Sequence, residues 1–196
     1  MMMNQNKTMN IMHRRLIVAF ICFTVYLFCW IFGYHYPETS DDVAMNFISV
    51  GAFGGETQYL VFLNILIGFL IKGLSAILPM VNWYLLLMVF FNYLAIWGIC
   101  DRLVCLAERT DGRIIILLCA ALNLYFYIDF YLVLQFSKAA ALYALAGWVY
   151  LLTIFWEKDK NHNRSLSVIA VLFFVLAVCY RQDAVIATFP FGIVMA

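Results

Sequence analysis

The chain has 196 residues, 66% of them hydrophobic and only 12% charged, and its mean hydropathy is +0.94. A soluble domain carries about 25% charged residues and still leaves much of its surface in water, so a soluble fold is excluded and the bilayer is the solvent. A net charge of +1 offers no basic stripe, which argues against nucleic acid as a partner.

The first apolar run, 16–34, follows Lys7, His13, Arg14 and Arg15 and ends in Trp30-Ile31-Phe32-Gly33-Tyr34. It is longer than a signal-peptide core and lacks a small-x-small cleavage site. The expectation is an uncleaved first span with a cytoplasmic N-terminus, in a multi-pass protein of the cell membrane.

A loop on the outer face, about 35–82, comes next. Glu38, Asp41, Asp42 and Glu56 precede any basic residue in it. Thr39 and Ser40 can cap a short helix starting near Asp41. On that helix Asp42, Asn46 and Ser49 share one face and Val43, Phe47 and Val50 another, so it can lie flat on the membrane. Gly51, Gly54 and Gly55 end it.

The apolar stretch 59–78 decides the topology. If it spans together with 83–100, 114–128, 139–156 and 166–180, then Arg102, Arg109 and Arg113 land outside, against the cytoplasmic bias of Lys and Arg. Asn64, Gly68, Lys72 and Ser75 recur along one side of a helix over 59–78. We therefore expect 59–78 to lie in the outer interface, the alternative being an ordinary span with small packing residues. Nine basic residues (Lys7, Arg14, Arg15, Arg102, Arg109, Arg113, Lys158, Lys160 and Arg164) then become cytoplasmic, leaving Lys72, Lys138 and Arg181 outside. Trp30, Tyr34, Trp83, Tyr84 and Trp156, near span ends, are expected to anchor in the interface.

Cys22, Cys29, Cys100, Cys105, Cys119 and Cys179 lie in or beside apolar runs without metal spacing, and read as small hydrophobes. Three polar features can carry chemistry. Asp41-Asp42 can take a proton from a hydroxyl or hold a hard cation, although Asp is also favoured in a first helical turn for structural reasons. Arg181, in Arg181-Gln182-Asp183, can grip a phosphate or pair with Asp183. Lys138 can neutralise the same phosphate or snorkel to the headgroups, with Asp129 across the turn as a partner.

Taken together, Thr39-Ser40-Asp41-Asp42-Val43-Ala44-Met45, Ser49-Val50-Gly51-Ala52-Phe53, Tyr59-Leu60-Val61-Phe62-Leu63-Asn64 and Pro79-Met80-Val81-Asn82-Trp83-Tyr84 resemble the first outer loop of bacterial GT-C fold membrane glycosyltransferases. The resemblance implies a polyprenyl-phosphate-linked sugar as donor, two juxtamembrane helices on the outer face, and an Asp of the first outer loop as catalytic base. It carries the base onto Asp42 first and Asp41 second, and phosphate contact onto Lys138 and Arg181; Asn46, on the Asp42 face, joins them as a substrate-binding candidate. Such enzymes are longer, so the chain is expected to be truncated at its C-terminal end, where 184–196 forms a partial helix.

The expected fold is thus all-α, a polytopic transmembrane helical bundle of GT-C type in one domain, 1–196. It has about five spans and two outer juxtamembrane helices. The expected function is sugar transfer to a cell-envelope acceptor. The alternative is a non-catalytic multi-pass protein, either a lipid or polysaccharide transport component or an accessory subunit beside a membrane partner. The sequence neither requires nor excludes a divalent cation.

Overall fold

A computed structural model describes residues 2–55, 57–107, 110–156 and 160–195. The expectations for Glu56, Arg109 and Lys158, and for the side chains of Lys7, Trp156 and Lys160, fall outside what is described. Seven helices are present among the described residues: α1 Met2–Phe32, α2 Ser40–Ser49, α3 Ile65–Ile77, α4 Trp83–Leu106, α5 Gly112–Tyr127, α6 Phe136–Trp156 and α7 Lys160–Met195. Two short strands, β1 Tyr36–Pro37 and β2 Val133–Leu134, complete them.

Five stretches are long and apolar enough to cross a membrane, in α1, α4, α5, α6 and α7. α3 is not among them. Its 13 residues reach about 20 Å at 1.5 Å per residue, short of the ~30 Å hydrocarbon core. Residues 59–64 stay outside the helix because Asn64 caps it, its Oδ1 accepting from the Leu66 amide at 3.1 Å. The expected polar stripe is only partly seen. Gly68 and Ser75 are buried with Ile67 and Ile71, whereas Lys72 is exposed and donates to Gln58 at 3.1 Å. Gly68 is required where it is, because a Cβ there would lie 1.9 Å from the Gln58 carbonyl oxygen.

The spans alternate in direction. Arg15 of α1 meets Asp101 late in α4, while Tyr26 meets Tyr93 nearer the other end, at 4.7 Å between ring centroids. α5 runs parallel to α1, with Arg14 donating to Thr110 and Asn123 to the Cys22 sulfur. α6 and α7 pack through small residues: Ala139, Ala140, Ala144 and Ala146 are fully buried, and a Cβ on Gly147 would meet the Phe174 ring at 3.1 Å. Small side chains let helices approach closely where lipid gives no hydrophobic drive.

α7 is broken at Arg181, whose backbone is extended (φ −164°, ψ 112°). Trp148 touches Phe174 from the arm before the break and Phe189 from the arm after it, and it donates to Thr188 at 3.3 Å. The second arm therefore folds back along α6 instead of extending the span. The expected separation between a span at 166–180 and an apolar piece at 184–196 is realised as two arms meeting at Arg181.

All these elements leave the bundle with two polar ends. The loop end gathers α2, α3, both strands, the start of α6 and the break in α7. The arginine end holds Arg14, Arg15, Asp101 and Arg102.

Candidate functional site

The loop end is assembled around the start of α6. Strands β1 and β2 pair in parallel, Tyr36 with Val133 and Pro37 with Leu134, and the Glu38 amide extends the ladder to the Leu134 carbonyl at 2.8 Å. Just before β2, α5 ends in a wide π-helical turn, Ile128–Leu132, which leaves carbonyls without helical donors. Asn92 donates to the Phe130 carbonyl at 2.7 Å. The His35 Nδ1 lies 2.5 Å from the Tyr131 carbonyl, so His35 is tied to the turn.

Helix α2 forms as its sequence dictates. Thr39 is its N-cap, accepting from the Asp42 amide at 3.3 Å, and Gly51, Gly54 and Gly55 follow it with φ of 78°, 120° and 136°, conformations that favour glycine. Its polar side is the buried one: Asp42, Met45 and Ser49 are covered while Val43, Phe47 and Val50 are exposed. That inversion suits a helix whose apolar face meets lipid.

Asp42 is completely buried. Its Oδ1 accepts from the Tyr84 hydroxyl at 3.0 Å and from the Phe136 amide at 2.9 Å, and its Oδ2 from the Thr39 hydroxyl at 2.5 Å. Phe136 opens α6, so Asp42 supplies a charge-assisted acceptor to an amide at a helix start, where intrahelical partners are missing. The carboxylate expected first as a base is therefore an internal clamp joining α2, α4 and α6. Tyr84, expected as an interfacial anchor, is instead buried at 1% exposure, because its hydroxyl serves that clamp. Asn46 is tied into the fold through its side-chain oxygen. Its Oδ1 accepts from Asn82 at 2.8 Å, and Asn82 in turn caps α4.

Asp41 has the opposite setting. It is exposed, and no hydrogen bond or ion pair reaches its carboxylate among the described residues. Lys138 lies between two carboxylates, 2.6 Å from Glu38 and 2.7 Å from Asp129. Asp129 is the partner the sequence predicts; Glu38 is not, because β1–β2 pairing rather than chain proximity brings it there. Arg181 donates to the Ser137 hydroxyl at 2.5 Å, stacks over the Phe136 ring at 5.5 Å, and stands 3.8 Å from Asp183.

Phe136-Ser137-Lys138 is thus the hub: Asp42 holds the first residue, Arg181 the second, and Glu38 with Asp129 the third. Of the two cations, Lys138 is held between two carboxylates, whereas the nearest carboxylate to Arg181 among the described residues, Asp183, is 3.8 Å away. Among the described residues no group of three or more His, Cys, Asp or Glu side chains is placed to hold a metal ion. All six cysteines are free thiols.

Compared with models of protein families, with curated proteins and with solved structures, the chain matches none.

Proposed function

We propose that the chain carries the active face of a membrane glycosyltransferase of GT-C type, which moves a sugar from a polyprenyl-phosphate donor to a cell-envelope acceptor. One observation supports this reading above the others. Asp41, next to the Asp42 that binds the start of α6, lies at the same end as Lys138 and Arg181, in a bundle whose long helices are apolar enough to cross a membrane. The resemblance of residues 39–53, 59–64 and 79–84 to the first outer loop of those enzymes adds to it.

With Asp42 occupied as a clamp, Asp41 takes the role of base and Asp42 that of positioning residue. An acceptor hydroxyl loses its proton to Asp41 as its oxygen bonds to the sugar's anomeric carbon. The bond from that carbon to the phosphate oxygen breaks, and the electron pair leaves with the polyprenyl phosphate. Arg181 balances the charge on the departing phosphate, while Lys138, already paired, holds the Glu38 and Asp129 walls. Catalysis at the loop end requires that this end face away from the cytoplasm, with the N-terminus inside.

The test is transfer from a polyprenyl-phosphate-sugar to an acceptor by full-length protein in membranes. Asp41→Asn is expected to lower the rate by about 100-fold or more, the usual scale of a positioned base. Arg181→Gln is expected to lower it through the same step. Full activity in Asp41→Asn overturns the assignment. It would also favour the second reading, a non-catalytic transport or accessory protein, which draws on the internal pairing of Asp42, Asn46 and Lys138.

A further inference from the structure

A groove of about 740 Å³ runs along the bundle from the arginine end to α3, within the ~300–1,000 Å³ range of small-molecule sites. One wall is the first arm of α7 from Ser165 to Cys179, about 21 Å of helix, or most of a hydrocarbon core. Leu66 and Leu70 of α3 close its far end, and Leu172 and Phe173 line its length. The polar groups collect at the arginine end, where Arg15, Asp101, Arg102 and Tyr150 line it.

Among the described residues, that end sets two guanidinium groups against one carboxylate. Asp101 accepts from Arg15 at 2.6 and 3.1 Å and from Arg102 at 2.5 Å, so one carboxylate serves two guanidinium groups. Arg102 is only 4% exposed and lies 5.4 Å over the Tyr150 ring. Among the described residues its Nε has no acceptor, and neither does the indole N–H of Trp97, five residues earlier in α4 and in the same groove. Buried donors without partners are costly. An apolar trough with two guanidinium groups on a shared carboxylate and spare donors at one end suits an anionic amphiphile.

We propose that the groove binds one anionic phospholipid, its phosphate at Arg15 and Arg102 and an acyl chain along α7 towards α3. The site is independent of the transferase reading, since its charged end lies at the opposite end of the bundle and it uses none of the same residues.

Brominated phosphatidylglycerol and brominated phosphatidylcholine, titrated separately into purified full-length protein, report binding by quenching Trp97. The Trp97→Phe variant isolates that signal from the other tryptophans. Phosphatidylglycerol is expected to quench at lower mole fraction than phosphatidylcholine. Arg15→Gln, which leaves Asp101 paired with Arg102, is expected to reduce that preference about fivefold, the weight of one arginine at a membrane surface. Equal quenching by both lipids in the unaltered protein overturns the proposal whatever Arg15→Gln does. Displacement of phosphatidylglycerol by inorganic phosphate also overturns it, because the site would then belong to a soluble anion.

Discussion

At Asp42 a hydroxyl from α4, a hydroxyl from the preceding turn and the first amide of α6 converge on one carboxylate. Hydrogen bonds to a charged acceptor contribute about 1.5–3 kcal/mol each. Asp42→Ala would leave the Tyr84 hydroxyl and the Phe136 amide unpaired in the interior, so a loss of at least about 3 kcal/mol is expected. For a chain of this length that corresponds to a fall of about 6–12 °C in the thermal midpoint, measured in detergent micelles. Asp41→Ala removes an exposed carboxylate without a hydrogen bond or ion pair among the described residues, in the field of the α2 N-terminus, so its cost is expected to stay below about 1 kcal/mol. The two neighbours are thus expected to separate: Asp42→Ala lowers the thermal midpoint, whereas on the proposed function Asp41→Ala lowers transfer. If both variants melt with the unaltered protein, the clamp contributes nothing to stability.

Each helix carries its own record of what its sequence could announce. The five spans are legible because runs of apolar residues long enough for a bilayer have few other uses. The short α3 was legible from charge placement, since Arg102 and Arg113 constrain which stretches cross. Cysteine labelling checks this directly, using a membrane-impermeant maleimide on intact cells in a Cys105→Ser background. Met80 is 99% exposed between α3 and α4, and Gly54 precedes α3. If α3 does not cross, Gly54→Cys and Met80→Cys label from the same side, and Asp111→Cys is protected. Labelling of Gly54→Cys without Met80→Cys would mean that α3 crosses after all. What the sequence concealed were the contacts between distant segments. Periodicity placed Asp42, Asn46 and Ser49 on one face of α2, but nothing in a 3.6-residue repeat says that Tyr84 and Phe136 will cover that face. Likewise Glu38 and Lys138 meet only because β1 and β2 pair across almost a hundred residues, and the fold-back at Arg181 depends on a single extended residue.

Over the whole molecule, the arginine end ties together helices that the loop end joins differently. Arg15 anchors α1 to α4 through Asp101, and Arg102 carries the connection to α6 across the Tyr150 ring. Breaking a buried ion pair from one side costs about 3–5 kcal/mol, whereas replacing the charged group together with its partner by apolar side chains of similar volume is often neutral. Asp101→Asn strands two cations at once and is expected to reduce stability by about that amount, read as loss of monodisperse protein on heating in detergent. Adding Arg102→Met removes the more deeply buried of those cations. The half-exposed Arg15 can then turn towards headgroups, as long cationic side chains do at a membrane boundary. The double variant is therefore expected to regain at least half of the loss. A double variant as unstable as Asp101→Asn alone would show that the charge of Arg102 is not what strains the single variant, and that its stacking on Tyr150 matters more.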